Sequence, residues 1–235
     1  MIMQTVRLHD GIDLYRTREP GIRLETNLFY LPNNEQNLAY RAAKLLMDEF
    51  GIKDGLFIRL RKFIPVSAGM AGGSTDAASV LFGVNRMFGL GLGVKDLMER
   101  GVTLGADIPY CLMRGTALSE GIGEKLTALP PMPQCQVLIA KPGISVSTKV
   151  VYEALDAMEL TREPVIGQIE QVMKDCGAVN AMMSGSGPSV FGLFTSPRAA
   201  QQAYESLRFG EYSNLAKQVY LTGFYNVQEA KYNGQ

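Results

Sequence analysis

The run Pro65-Val-Ser-Ala-Gly-Met-Ala-Gly-Gly-Ser-Thr-Asp76 most constrains what this chain can fold into. Phe57-Ile-Arg-Leu-Arg-Lys-Phe-Ile64 reads as a strand that enters it. Ala78, Leu81, Val84 and Phe88 recur at helical spacing after it, with Gly89 as a stop. Gly69, Gly72 and Gly73 permit positive φ and let a bulky anion approach the main chain. The first amides of a helix lack internal partners and sit at the positive end of its dipole. Strand, glycines, the Ser74 and Thr75 hydroxyls and a helix, in that order, make a phosphate cradle. A turn that merely packs a helix tightly on a sheet uses the same glycines, and the full coincidence outweighs it.

Two commoner loops are excluded. No Gly-Lys-Ser/Thr closes the run as a Walker A loop would, and Gly69-x-x-Gly72 does not fit the Gly-x-Gly-x-x-Gly dinucleotide fingerprint. Gly89-Leu-Gly-Leu-Gly93 looks nearer to that fingerprint. It follows a helix instead of a strand, however, and Val94 stands where the last glycine belongs.

The rest of the chain supports layered packing. Residues 1–30 read as short strands, with alternation over 12–16 and 22–26 around the Pro20-Gly21 turn signal, as in a hairpin. Leu38, Ala42, Leu45, Leu46 and Phe50 make a helical stripe that stops at Gly51, and a further helix is expected over 94–104. Strands are expected over 110–113, 116–119 and 136–140. Helices at 148–158 and 164–176, strands at 178–183 and 190–194, a helix at 197–208 and a strand at 218–224 complete the series. Leu129-Pro-Pro-Met-Pro133 is the best candidate boundary, giving units 1–130 and 131–235. Alternation of strand and helix in both halves argues for layered α/β or α+β packing.

Composition removes whole classes of function. Lys+Arg and Asp+Glu are balanced at 23 each, without the basic excess of a nucleic-acid binder. Cys111, Cys135 and Cys176 form no Cys-x-x-Cys pair, so buried free thiols are expected instead of disulfides or zinc. No apolar run approaches the ~20 residues of a membrane span, and the first residues lack a signal-peptide pattern. A cytoplasmic protein without a nucleic-acid or membrane partner, monomeric or homodimeric, is expected.

Three further places carry candidate chemistry. In Gly105-Ala-Asp-Ile-Pro-Tyr110, a carboxylate near a helix end suits the role of orienting an attacking hydroxyl or taking its proton, although such an Asp is commonly a turn former. Met183-Ser-Gly-Ser-Gly-Pro-Ser-Val190 is a second small-residue turn able to approach a ligand or the first loop closely. His9, the single histidine, sits in a polar stretch and reads as a solvent-facing turn residue. Arg59–Lys62 reads as a solvated strand face, with Lys62 within reach of the phosphates.

Together these pieces resemble the GHMP kinases, the superfamily of galacto-, homoserine, mevalonate and phosphomevalonate kinases. The Pro65–Thr75 run matches the superfamily's second motif and Ser184–Pro188 its third. Asn37-Leu-Ala-Tyr-Arg-Ala-Ala43, Gly72-Gly-Ser74 followed by Asp76-Ala-Ala78, Gly105–Tyr110 and Gly121-Ile-Gly-Glu124 extend the likeness over nearly the whole chain. They point to members that phosphorylate the 2-hydroxyl of a diphosphocytidyl-linked methylerythritol in isoprenoid synthesis; a homoserine or mevalonate-type kinase is the alternative. The resemblance implies an α+β fold, with an N-terminal domain like the second domain of ribosomal protein S5 and a ferredoxin-like C-terminal domain. It implies ATP and Mg²⁺, with Pro65, Val66, Ser67, Ala68, Gly69, Met70, Ala71, Gly72, Gly73, Ser74 and Thr75 around the phosphates and Asp107 as the catalytic aspartate. Thr148, Tyr152, Ser184, Gly185, Ser186 and Gly187 fall on the substrate side, while the metal ligands are unassigned.

Two departures accompany the likeness. The superfamily pattern opens with a strand carrying Ala-Lys-x-Asn and then Gly-Tyr-His, whereas this sequence starts at Met1-Ile-Met-Gln, which looks like the stretch just after that His. A helical region is also short near Leu160–Pro164. A chain without the Lys strand would have an Asp107 stripped of its cationic neighbour, which makes a nucleotide-binding remnant without turnover the second expectation.

Overall fold

The structure is a computed structural model that describes residues 1–144 and 164–226. Its elements run β1 (Ile2–Gln4), β2 (Gly11–Thr17), β3 (Gly21–Thr26), α1 (Leu38–Glu49), β4 (Gly55–Arg61), α2 (Gly72–Phe88), α3 (Val94–Gly101), α4 (Ile108–Met113), β5 (Thr116–Glu120), β6 (Lys125–Ala128) and β7 (Gln136–Lys141). Then come α5 (Pro164–Asp175), β8 (Asn180–Met183), β9 (Val190–Phe194), α6 (Pro197–Arg208) and β10 (Gln218–Gly223). Helices and both strand orientations mix, as an α+β fold requires. The expected helix at 148–158 lies outside the described residues.

Three sheets form, in the orders β2-β4-β3, β1-β5-β6 and β10-β7-β9-β8. β2 and β3 do not make the expected hairpin. β4 inserts between them, antiparallel to β2 and parallel to β3, so the Pro20-Gly21 turn carries the chain across β4 and not back along its partner. In β4, Leu56, Ile58 and Leu60 alternate into the core while Arg59 and Arg61 face out. That period of two is what a half-buried strand imposes.

Leu56, Ile58, Ala42, Leu46, Leu81, Val84 and Ile108 belong to one core, in which α1 and α2 cover the inner face of β2-β4-β3. Leu138, Ile169, Met173, Phe194, Ala203 and Leu207 belong to a second, in which α5 and α6 cover the other large sheet. α1 starts at Asn37, whose Oδ1 accepts the Ala39 N–H at 2.9 Å, and stops at Gly51 with φ +61°. The segment Thr5–Arg7 stitches the cores together. Thr5 N–H donates to the Gly115 carbonyl, Tyr225 N–H to Thr5, and Arg7 N–H to Gly223.

One expected strand is a helix. Residues 110–113 fall in α4, where Pro109 occupies a first-turn position that needs no N–H partner. Its apolar run was too short for periodicity to separate a strand from a buried helical turn. The three cysteines are free, as expected, but each is half-buried instead of enclosed. Among the described residues no helix is long and apolar enough to cross a membrane.

Candidate active site

β4 ends at Arg61, and α2 begins at Gly72, six residues ahead of Ala78, the first residue of the helical stripe. The glycines 72 and 73 are thus the first residues of the helix. The chain reaches it through left-handed backbone at Ser67 (φ +50°), Gly69 (φ +69°) and Ala71 (φ +50°). Ala71 is the N-cap and makes no side-chain hydrogen bond, so the helix's own cap leaves its leading amides to another acceptor. Such left-handed non-glycine residues cost of order 1–3 kcal/mol each and persist only where neighbours enforce them.

One of those neighbours is the second glycine turn. Ser184 Oγ donates to the Gly69 carbonyl at 2.8 Å, and Ser189 N–H to the Ala68 carbonyl at 3.4 Å. A Cβ on Gly69 would stand 2.2 Å from the Ser184 carbonyl oxygen, so only glycine fits that approach. The two turns, 115 positions apart in sequence, form one surface at the head of α2.

Asp107 lies in the short connection after α3 and occupies the N-cap position of α4, and its carboxylate does not cap that helix. Burial raises its pKa. Helix α4 meets α2 where the Thr75 hydroxyl lies 3.4 Å from Cys111 Sγ, one turn beyond Asp107. The thiol is pushed up to about 12, chiefly by burial, with the Thr75 hydrogen bond opposing and the Asp107 and Asp76 carboxylates adding repulsion. Both carboxylates therefore lie within electrostatic reach of one sulfur. Thr75 Oγ1 also donates back to the Ala71 carbonyl at 3.0 Å, so this hydroxyl is engaged inside the helix start.

Beneath the loop lies an ionic cluster. Lys62, expected on a solvated face, is 7% exposed. Alternation explains this: Arg59 and Arg61 point out, and the next residue turns in. Its ammonium donates to Asp10 Oδ2 and, at 2.7 Å, to Asp76 Oδ2. Asp10 Oδ1 accepts the N–H groups of Phe63 (2.5 Å) and Ile64 (2.9 Å). Asp76 Oδ1 is buried with no hydrogen-bond partner among the described residues. Burial pushes the Asp76 pKa up to about 7, Lys62 pulls it back and Asp10 raises it further.

Residues 37–115 match the family model of the GHMP kinases N terminal domain, and 144–212 that of the GHMP kinases C terminal. The chain belongs to the GHMP kinases. It is 48% identical to a 4-diphosphocytidyl-2-C-methyl-D-erythritol kinase of Lachnoclostridium phytofermentans, covering 96% of this chain and 88% of that one. It is 46% identical to the protein of the same name from Lachnospira eligens, over 94% and 88%. A crystal structure of 4-(cytidine 5'-diphospho)-2C-methyl-D-erythritol kinase superposes with a TM-score of 0.79 at 28% identity, covering 96% and 90%. The mevalonate kinase of Methanococcus jannaschii, at 14% identity and a TM-score of 0.78 over 96% and 91%, shows the shared GHMP fold. The alignment with the Lachnoclostridium protein spans 259 positions and this chain has 235, so that relative carries at least two dozen residues inside the matched stretch that this chain lacks.

Within this GHMP chain, the loop 65–75, the turn 184–187 and Asp107 are gathered around the heads of α2 and α4. Pro65 and Ala68 are buried, whereas Ser67 and Gly73 reach solvent. Thr148 and Tyr152 lie outside the described residues. His9 is exposed as expected, its Nδ1 2.7 Å from the Arg7 carbonyl oxygen. Asp10 was not among the expected residues, since an Asp-Gly pair reads as a turn. Asp76 did leave a signal: it shares the i, i+4, i+8 stripe of Val80 and Val84, both buried.

Proposed function

We propose that this chain transfers the γ-phosphoryl group of ATP to the 2-hydroxyl of 4-diphosphocytidyl-2-C-methyl-D-erythritol. The observation that carries the reading is the joint between the two glycine turns at the head of α2, Ser184 Oγ to the Gly69 carbonyl at 2.8 Å, in a chain 48% identical to a kinase named for that substrate.

In this reading residues 65–75 hold the nucleotide phosphates through main-chain amides and the α2 dipole. Ser184, Gly185, Ser186 and Gly187 close the acceptor side, and Thr148 and Tyr152 receive the cytidine end. Asp107, with a proton affinity raised by burial, orients the acceptor hydroxyl and takes its proton as the oxygen bonds to the γ-phosphorus. The bond from that phosphorus to the β–γ bridging oxygen breaks, and ADP leaves with the electron pair.

Magnesium carried by ATP would offset phosphate charge. Among the described residues no three His, Cys, Asp or Glu side chains gather as a metal cage. The ion's habit of binding through phosphates and one or two protein oxygens needs none. The units 1–130 and 131–235 and a cytoplasmic site of action are parts of the same proposal; the two larger cores support that division, and a smaller third, in which Val6, Leu8 and Met70 pack against Val137, Ile139 and Phe224, crosses it.

An ADP-release assay with the diphosphocytidyl substrate, homoserine and mevalonate tests it. Release with the first alone is the expected result. Release only with homoserine or mevalonate would replace the substrate, and ATP binding without release on any of the three would mark a chain that binds nucleotide but does not turn over.

A further inference from the structure

We infer that Asp10, Lys62 and Asp76 form a buried clamp that fixes the spacing between the two ends of the phosphate loop, making them positioning residues for the nucleotide. The inference rests on reading residues 65–75 as the ATP loop.

The clamp connects the two ends of the loop. Asp10 Oδ1 holds the loop's entry through the Phe63 and Ile64 N–H groups, and Asp10 Oδ2 takes the Lys62 ammonium. The same ammonium donates to Asp76 in α2, beyond the loop's exit, at 2.7 Å. Entry and exit are therefore tied through a single nitrogen. Gly72 lies directly over the knot: a Cβ there would stand 3.3 Å from Lys62 Nζ and 3.0 Å from Ile64 Cγ2.

Such a buried cluster is costly. Side chains of Lys62, Asp10 and Asp76 are 4%, 2% and 4% exposed. Removing such charges from water costs several kcal/mol per ion, and well-packed apolar replacements are often as stable or more so. Stability alone does not account for two carboxylates and an ammonium at this place. The loop between the tied ends does: Ser67 and Ala71 are held at φ +50°, a backbone state that relaxes unless its ends are fixed. A loop that binds through main-chain amides loses affinity when those amides shift by a fraction of an ångström.

The test compares wild type with Lys62→Met, the charge-free triple variant Asp10→Asn/Lys62→Met/Asp76→Leu, and Asp10→Asn. ATP affinity is read by titration calorimetry, kinetics as KM against kcat, and stability as Tm. A positioning role predicts that Lys62→Met raises the Kd and KM for ATP by roughly tenfold to a hundredfold, while the KM for the acceptor stays within about twofold. The triple variant recovers Tm by removing the stranded charges, yet keeps the weak ATP affinity. A merely structural role predicts that the triple variant recovers both, and that result overturns the clamp. If Lys62→Met does not fold, Asp10→Asn decides. It keeps an oxygen for the two N–H groups and drops the charge that holds Lys62, so ATP affinity equal to wild type would overturn the clamp. Wild type that binds no ATP at all would sink the loop reading and the clamp with it, whereas binding in wild type and equally in every variant sinks the clamp alone.

Discussion

At the scale of single residues, Asp107 and Asp76 are both carboxyls with raised proton affinity, and they answer to different measurements. Asp107 does not cap its helix, so Asp107→Asn is expected to leave ATP affinity near wild type and to cut kcat by roughly 10²–10⁴; unchanged turnover removes it from the mechanism. Asp76 is pushed from 3.8 up to about 7. The folded chain then binds a proton that the unfolded chain has released between those values. Its contribution to stability is full below 3.8 and is lost as pH rises through about 7. Tm measured from pH 4 to 8 should carry this falling component, and Asp76→Asn should flatten it. Gly72→Val is expected to abolish measurable ATP binding, for a reason other than obstruction of the ligand. Its added carbon points inward at Ile64 and Lys62, so the helix start is driven off its bed.

At the scale of elements, periodicity was a good guide wherever one face of an element meets a core. α1, α2 and β4 are legible because Leu46, Leu81 and Ile58 recur at their element's own period and are fully enclosed. Leu46→Ala should therefore cost about 2–5 kcal/mol, read from denaturant unfolding. What the sequence could not show was pairing. Nothing local in residues 11–26 says that β4, nearly thirty residues onward, takes the place between β2 and β3. α4 was missed because six residues carry too little period to tell a helical turn from a strand.

At the scale of the whole molecule, the glycine turns were visible as separate motifs, and their contact was readable only as an ability to come close. Asp10 was illegible for a related reason: its role is created by a partner 52 positions away. A ligand seated on such a composite surface stabilises the whole fold by mass action. ATP at about 100 times its Kd should add about 2.7 kcal/mol to stability and raise Tm. The same addition should leave the Tm of Gly72→Val unmoved.

The hydrogen bond from Ser184 to Gly69 closes a loop of 115 residues. Contacts of such sequence separation repay their closure entropy late. Each core can gather its own helices and strands before that bond exists, so the nucleotide surface is completed after the architecture around it. During refolding, recovery of ATP binding is then a clock for the final docking event, running behind the return of helical signal.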